Sequence, residues 1–175
     1  VSAASPPLDL AALNAMDRDA FVVVLGPAFE NAPWVAADAW SGRPFSSVAA
    51  LHAAMLDVVR RAPQEQQLAF LRGHPELAGR EAQTGTMTAE STGEQSSAGL
   101  HALTGAERNE LQSLNRAYRE RHGFPFIIAV RANTKQQIFE AIRARTSQPT
   151  EIEHRAALEQ IGLITRGRID ALMKE

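Results

Sequence analysis

Apolar positions recur at three- and four-residue intervals over most of this 175-residue chain, the spacing that gathers them on one side of a helix. The clearest case is Val48, Leu51, Met55, Val58 and Val59, with Ser46 or Ser47 in front as the cap. Residues 8–15 predict a short helix that starts near Asp9, and Asp17 is an N-cap for a helix over 18–30. The β-branched run Val22, Val23, Val24 suits a strand equally well by propensity, and the reading adopted there is helix. Pro33 opens a short helix carrying Trp34, which Ser41-Gly42-Arg43-Pro44 breaks, and Pro63 begins another with Leu68 and Leu71 on one side. Over 74–88 the pattern fails and a loop is predicted, followed by a helix from about Thr88 to Leu103. Thr104-Gly105-Ala106-Glu107 is a capping box opening a helix with Leu111, Leu114 and Tyr118 on one face, and Gly123 ends it. Helices over 134–145 and from Pro149 almost to the C-terminus complete the chain, and only 124–130 reads as extended. The expectation is an all-α, single-domain bundle of about eight helices over 8–175, behind a flexible Pro- and Ser-rich tail over 1–7.

Composition narrows the function classes. With 45% hydrophobic and 22% charged residues the chain has the balance of a soluble globular domain. Apolar runs such as 21–25 and 126–130 fall far short of the roughly 20 residues that span a bilayer, so no membrane association is expected. The absence of cysteine excludes disulfides, a thiolate nucleophile and cysteine-bearing metal sites. A net charge of −2 and a pI near 6.2 give no reason to expect nucleic acid as a partner. Of 18 basic residues only Lys135 and Lys174 are lysines. Arginine is the better fork for planar anions, although codon bias in a GC-rich genome explains the same imbalance. The N-terminal residues have neither a basic nor an apolar leader region, and Met173-Lys174-Glu175 is no peroxisomal address, so a cytoplasmic enzyme or binding protein is expected.

None of the five histidines forms the His-Glu-x-x-His pair of a zinc helix, and no metal site is expected. His52 reads as a core or boundary residue, His122 as a partner of a helix C-terminus, and His101 and His154 as surface residues. His74 differs, because the following Pro75 biases it to extended backbone at the end of a helix, a rigid way to hold an imidazole in a cleft. A turn histidine bonded to nearby backbone explains it about as well. Ser91, Glu94, Gln95 and Ala98 share a face at helical spacing and would project a hydroxyl, a carboxylate and an amide from one patch. The competing reading, slightly favoured by spacing alone, makes Ser91-Thr92-Gly93-Glu94 a capping box. In the last helix Arg168 falls near the stripe of Leu158, Ile161, Ile164 and Leu172. An arginine there needs a partner such as Glu94 or a ligand anion, unless it snorkels to the surface.

Taken together, these blocks resemble the 2-oxo-4-hydroxy-4-carboxy-5-ureidoimidazoline (OHCU) decarboxylase family. The resemblance is carried by Pro33-Trp34, Arg43-Pro44-Phe45, His74-Pro75-Glu76-Leu77-Ala78-Gly79, Glu90-Ser91, Glu94-Gln95, Ala98-Gly99-Leu100, Leu114-Asn115, Tyr118 and Gly123-Phe124-Pro125-Phe126-Ile127-Ile128. It implies an all-α fold, usually a homodimer, with no metal or organic cofactor, that turns a small ureido-imidazoline carboxylate into (S)-allantoin in urate catabolism. It further implies His74 and Glu94 as catalytic residues, and substrate contacts from Pro75, Ser91, Thr92, Gly93, Gln95, Phe126, Ile127, Ile128, Ala129, Val130 and Arg168. At the last position the family tends to carry Leu-Arg-Leu where Gly167-Arg168-Ile169 stands here, which leaves Arg166 as an alternative. Association with the upstream hydrolase of the urate pathway is a further expectation. The rival readings are a non-catalytic helical ureide-binding module and a cofactor-free lyase or hydrolase of a related ureido heterocycle.

Overall fold

A computed structural model of the chain describes residues 8–173, so the predicted tail over 1–7 lies outside the described residues. The fold is all-α as expected, with ten α-helices, several of them short, and no strand among the described residues. Two compact units can be described within it. The first comprises residues 8–63 with 165–173, and the second is Gln64–Ile164.

In the first unit, α1 (Leu10–Ala15) and α2 (Arg18–Leu25) begin where Asp9 and Asp17 accept hydrogen bonds from Ala12 and Ala20 N–H at 2.6 and 2.8 Å. The α-helix stops at Leu25, short of the predicted Glu30, because Gly26 and Pro27 tighten the chain into a 3₁₀ turn over Gly26–Phe29. Pro33 opens α3 (Pro33–Ala39), and Ser47 caps α4 (Val48–Arg61), which buries Leu51, His52, Met55 and Val59. Between α3 and α4, Arg43 donates to the carbonyls of Asn14, Met16 and Trp40 at 2.7, 2.8 and 2.9 Å and stacks on the Trp40 ring at 4.0 Å. The Asn14 side chain exchanges two hydrogen bonds with the Phe45 backbone, at 2.8 and 2.9 Å, so the Arg43-Pro44-Phe45 block closes this unit around α1. His52 is buried with Nε2 2.9 Å from the Thr165 hydroxyl.

The second unit holds α5 (Gln64–Arg72), α6 (Arg80–Thr84), α7 (Ala89–Ser97), α8 (Gly105–His122), α9 (Lys135–Thr146) and residues 150–164 of α10 (Thr150–Leu172). The capping box of Thr104 and Glu107 is formed, and a second one joins Thr134 to Gln137. Gly123 ends α8 at φ 81°, a left-handed conformation that costs any other residue about 1–2 kcal/mol. Two expectations need correction. The loop predicted over 74–88 contains α6, and the helix predicted to reach Leu103 ends at Ser97, because Gly99 turns the chain at φ 76°. Residues 124–130 are extended as expected but irregular, running into a 3₁₀ turn over Val130–Ala132.

The histidines divide by environment. His122 lies between the Thr150 hydroxyl at 3.0 Å and the Thr146 carbonyl at 3.1 Å, a structural position. His101 is exposed, but His154 is not the surface residue expected: its ring meets Phe124 edge-on at 6.2 Å, and its Nε2 is buried with no hydrogen-bond partner. Desolvation lowers its pKa, so the neutral imidazole is favoured in the folded state. A base depressed in this way contributes stability above its unfolded pKa and loses it as pH falls towards the folded value. His154→Leu should therefore shrink the loss of melting temperature between pH 7.5 and 5.5, measured against the parent protein by calorimetry.

Candidate active site

The residues singled out in the sequence, Arg168 apart, fall on three pieces of the second unit: the segment after α5, the inner face of α7, and the extended segment after α8. His74 follows the last turn of α5, its N–H donating to the Leu71 carbonyl at 3.2 Å, and is half-buried ahead of buried Pro75. The chain then turns sharply, with Ala78 at φ 47°. At Gly79 a Cβ would stand 2.6 Å from the Glu76 Cβ, so no larger residue fits without movement of the turn.

Helix α7 supplies the second piece. Its cap is Thr88, whose hydroxyl accepts from Ser91 N–H at 3.2 Å, so the capping box proposed at Ser91-Thr92-Gly93-Glu94 does not form. Ser91, Glu94 and Gln95 are instead interior helical positions and are buried, at 2%, 8% and 5% exposure. They form the polar face that the spacing suggested. Thr92 and Gly93 lie on the exposed side, with the Thr92 hydroxyl donating to the Thr88 carbonyl at 2.9 Å and the Arg131 guanidinium beside Gly93.

Gln95 joins the first two pieces. Its Oε1 accepts from Ala78 N–H at 2.8 Å while its Nε2 donates to the Glu76 carbonyl at 3.2 Å and approaches the Met87 sulfur at 3.3 Å. One amide thus pairs a donor and an acceptor of the turn that begins at His74-Pro75. Asn115, 3% exposed on α8, donates to the Leu77 carbonyl at 3.0 Å, and its Oδ1 is buried without a hydrogen-bond partner. Arg119 makes an ion pair with Glu76, and Arg72 donates to the Gly123 carbonyl at 2.9 Å.

The third piece is Phe126, Ile127, Ile128, Ala129 and Val130, all buried. Arg145 donates to the Ile127 carbonyl at 2.9 Å, the Gln160 side chain accepts from Ala129 N–H at 2.9 Å, and Asn133 donates to the Ala129 carbonyl at 2.8 Å. The N–H groups of Ile127 and Ile128 and the carbonyl of Ile128 have no partner among the described residues. They leave two donors and one acceptor on adjoining peptides, a pattern suited to an amide-like ligand edge.

Arg168 belongs to the first unit. It is 6% exposed, with Nη2 3.1 Å from the Glu30 carboxylate and Nη1 3.3 Å from the Ala28 carbonyl. Within this unit Glu30 is its carboxylate partner, and Arg168 does not snorkel. Arg166 pairs with Asp170 one turn on, half-exposed, which leaves Arg168 as the inward-facing cation of this stretch. Leu172, placed on the same apolar stripe, is exposed.

Sequence reasoning passed over the roles of Asn115, Arg145, Glu153 and Gln160. The detectable signal was Glu153, a carboxylate one turn before buried Ala157 and in register with Ile161 and Ile164. Among the described residues no group of three or more His, Cys, Asp or Glu side chains could hold a metal ion, and no helix is long and apolar enough to cross a membrane. Gln95→Leu conserves bulk but leaves Ala78 N–H and the Glu76 carbonyl without their partner, so it should lower unfolding stability by about 2 kcal/mol in urea titration. Gly79→Ala should destabilise the chain in the same assay through the clash with Glu76.

Comparison with known proteins places this arrangement in context. The family model described as OHCU decarboxylase matches residues 14–170. The chain is 40% identical to the 2-oxo-4-hydroxy-4-carboxy-5-ureidoimidazoline decarboxylase of Mus musculus, covering 95% of this chain and 93% of that protein. It is 39% identical to the uric acid degradation bifunctional protein of Bacillus subtilis, spanning 32% of that protein's length. Among solved structures, an (S)-allantoin synthase superposes with a TM-score of 0.76 at 28% identity, covering 96% of this chain and 54% of that one.

Proposed function

The chain belongs to the OHCU decarboxylase family, and from that premise we propose that it decarboxylates 2-oxo-4-hydroxy-4-carboxy-5-ureidoimidazoline to (S)-allantoin in urate degradation. The observation that carries the reading is the grip of Gln95 on the Glu76 carbonyl and Ala78 N–H, which ties the segment beginning at His74 to the helical turn that holds Glu94. Cleavage of the bond to CO₂ leaves an electron pair that moves into the adjacent ring C=N, whose nitrogen takes a proton. The ring hydroxyl then gives up its proton as a carbonyl forms, and the ureido-bearing carbon gains one from a single face. The substrate supplies its own electron sink, so the protein has to contribute orientation and proton management.

In this reading His74, an imidazole at the edge of a rigid turn, handles the proton of the ring hydroxyl. Glu94 orients that imidazole or holds the ureido and ring N–H groups, with Ser91 beside it on α7. Pro75 bounds the pocket, and the free peptide edge of Ile127 and Ile128 reads the planar heterocycle. Gln95 contributes mainly by holding the His74 turn, because both ends of its amide are already engaged there. The assignment of Arg168 to the substrate anion rests on the family resemblance alone. A cytoplasmic homodimer that associates with the hydrolase supplying its substrate completes the proposal. The bifunctional relative, of which this chain spans a third, supports that association.

The test is a coupled assay in which urate and the two preceding enzymes generate the unstable substrate in situ and circular dichroism follows allantoin. The wild-type chain should produce one enantiomer well above the slow racemic background. His74→Ala and Glu94→Gln, folded by the same spectroscopy, should each lose about a hundredfold or more in kcat, the scale of positioned acid–base catalysis. Unaccelerated, racemic product from folded wild-type protein would overturn the reading in favour of a ureide-binding module or a sister reaction.

A further inference from the structure

The extended segment 126–130 has no helix or sheet to hold it, yet in the proposed reaction its peptide edge has to meet the substrate with sub-ångström accuracy. The second unit contains a buried polar cluster that the proposed chemistry does not use. Tyr118, fully buried on α8, donates its hydroxyl to Glu153 Oε2 at 2.6 Å. Glu153, 1% exposed on α10, also receives Arg145 Nε at 3.0 and 3.3 Å, while Arg145 Nη2 lies 3.0 Å away as an ion-pair contact outside hydrogen-bond alignment. The remaining terminal nitrogen, Nη1, donates to the Ile127 carbonyl at 2.9 Å, and the guanidinium plane lies over the Phe126 ring at 4.6 Å. Burial first, and then the bond to Glu153, push the Tyr118 phenol well above its ordinary pKa, so the hydroxyl stays a donor.

We propose that Arg145, oriented by Glu153 and Tyr118, is the positioning residue that sets the substrate-reading edge of Ile127 and Ile128. The proposal rests on the decarboxylase reading for the identity of the ligand. Its logic is geometric. One rigid planar cation fixes two consecutive residues at once, Phe126 through its ring and Ile127 through its carbonyl. The N–H groups of Ile127 and Ile128 and the carbonyl of Ile128, which have no partner among the described residues, are then held in fixed positions for a ligand. A buried carboxylate bonded to Nε and paired with Nη2 along one edge of the guanidinium keeps it from swinging with the solvent-facing part of α9, and the Tyr118 hydroxyl fixes the carboxylate in turn. Lysine can preserve the charge opposite Glu153 but cannot make the fork, the carbonyl bond and the stack together.

Three variants test this, Arg145→Gln, Arg145→Lys and Tyr118→Phe, each measured at a temperature where circular dichroism shows it fully folded. Hydrogen exchange across residues 124–133 reads the segment in the ligand-free chain, and the coupled assay reads KM, kcat and enantiomeric excess. For Arg145→Gln, exchange should accelerate, KM should rise by about tenfold to a hundredfold with a smaller change in kcat, and enantiomeric excess should fall. Arg145→Lys should recover melting temperature without recovering KM. Tyr118→Phe, which keeps the ring and removes one donor, should move exchange and KM in the same direction by about fivefold. If all three folded variants keep wild-type exchange in 124–133 and wild-type KM, or if Arg145→Lys restores KM along with stability, the proposal falls. If the wild type itself shows no turnover, the decarboxylase reading falls, while the exchange measurement still decides whether Arg145 holds the segment.

Discussion

Backbone that is buried but neither helical nor paired in a sheet has to find partners among side chains, because each orphaned N–H or C=O costs about 1–3 kcal/mol. The second unit has two such stretches, 73–79 and 124–130, and much of its buried polar chemistry answers to them. Gln95 and Asn115 bond the Glu76 carbonyl, the Leu77 carbonyl and Ala78 N–H, while Arg145, Gln160 and Asn133 bond the Ile127 carbonyl and both backbone groups of Ala129. The same two stretches bear His74 and the free peptide edge. The interior of a helix cannot present such an edge, since its own ladder uses the backbone groups, so the proposed site calls for irregular backbone, and that backbone is held by these amides and this guanidinium.

The arginine-rich composition takes on a physical meaning here that codon bias alone does not supply. Three arginines each span several fixed acceptors: Arg145 joins Glu153 to the Ile127 carbonyl, Arg168 joins Glu30 to the Ala28 carbonyl, and Arg43 gathers three carbonyls around Trp40. Each links segments far apart in sequence, and each has the carbonyl of a non-helical or helix-terminal residue among its acceptors. A guanidinium suits this work because its donors diverge in one plane at fixed angles and its charge is lightly hydrated, whereas an ammonium offers a single compact point. The buried carboxylates Glu30 and Glu153 balance the cations. Removing either partner would leave an uncompensated charge where solvent cannot reach it.

What could be read from the sequence was what is local. Asp17, Ser47 and Thr104 cap helices as the sequence suggested, and Gly123 stops α8. Failures came where two local rules competed within a turn of one another. Thr88 and Ser91 both qualify as caps, and only the backbone shows that Thr88 takes the role and leaves Ser91 and Glu94 inside the helix. Distance in sequence explains the rest. The Glu30 partner of Arg168 lies 138 residues away and the Leu77 partner of Asn115 lies 38 away, and no periodicity encodes such pairs. His154 looked like a surface residue because its neighbours are polar, but on a long helix one side can face Phe124 while its neighbours face water.

A decarboxylation whose electron sink lies in the substrate asks little of a protein by way of reactive groups and much by way of placement. That demand matches the distribution of chemistry here. His74 and Glu94 stand on segments held by buried polar side chains, of which Gln95 and Arg145 are each engaged at more than one end. Rate enhancement from positioning falls steeply with small displacements, so in the proposed site the residues that fix the two irregular segments matter beside those that would touch the ring. A stereospecific product imposes the same requirement, because delivering a proton to one face of a planar intermediate needs the ring held against rotation.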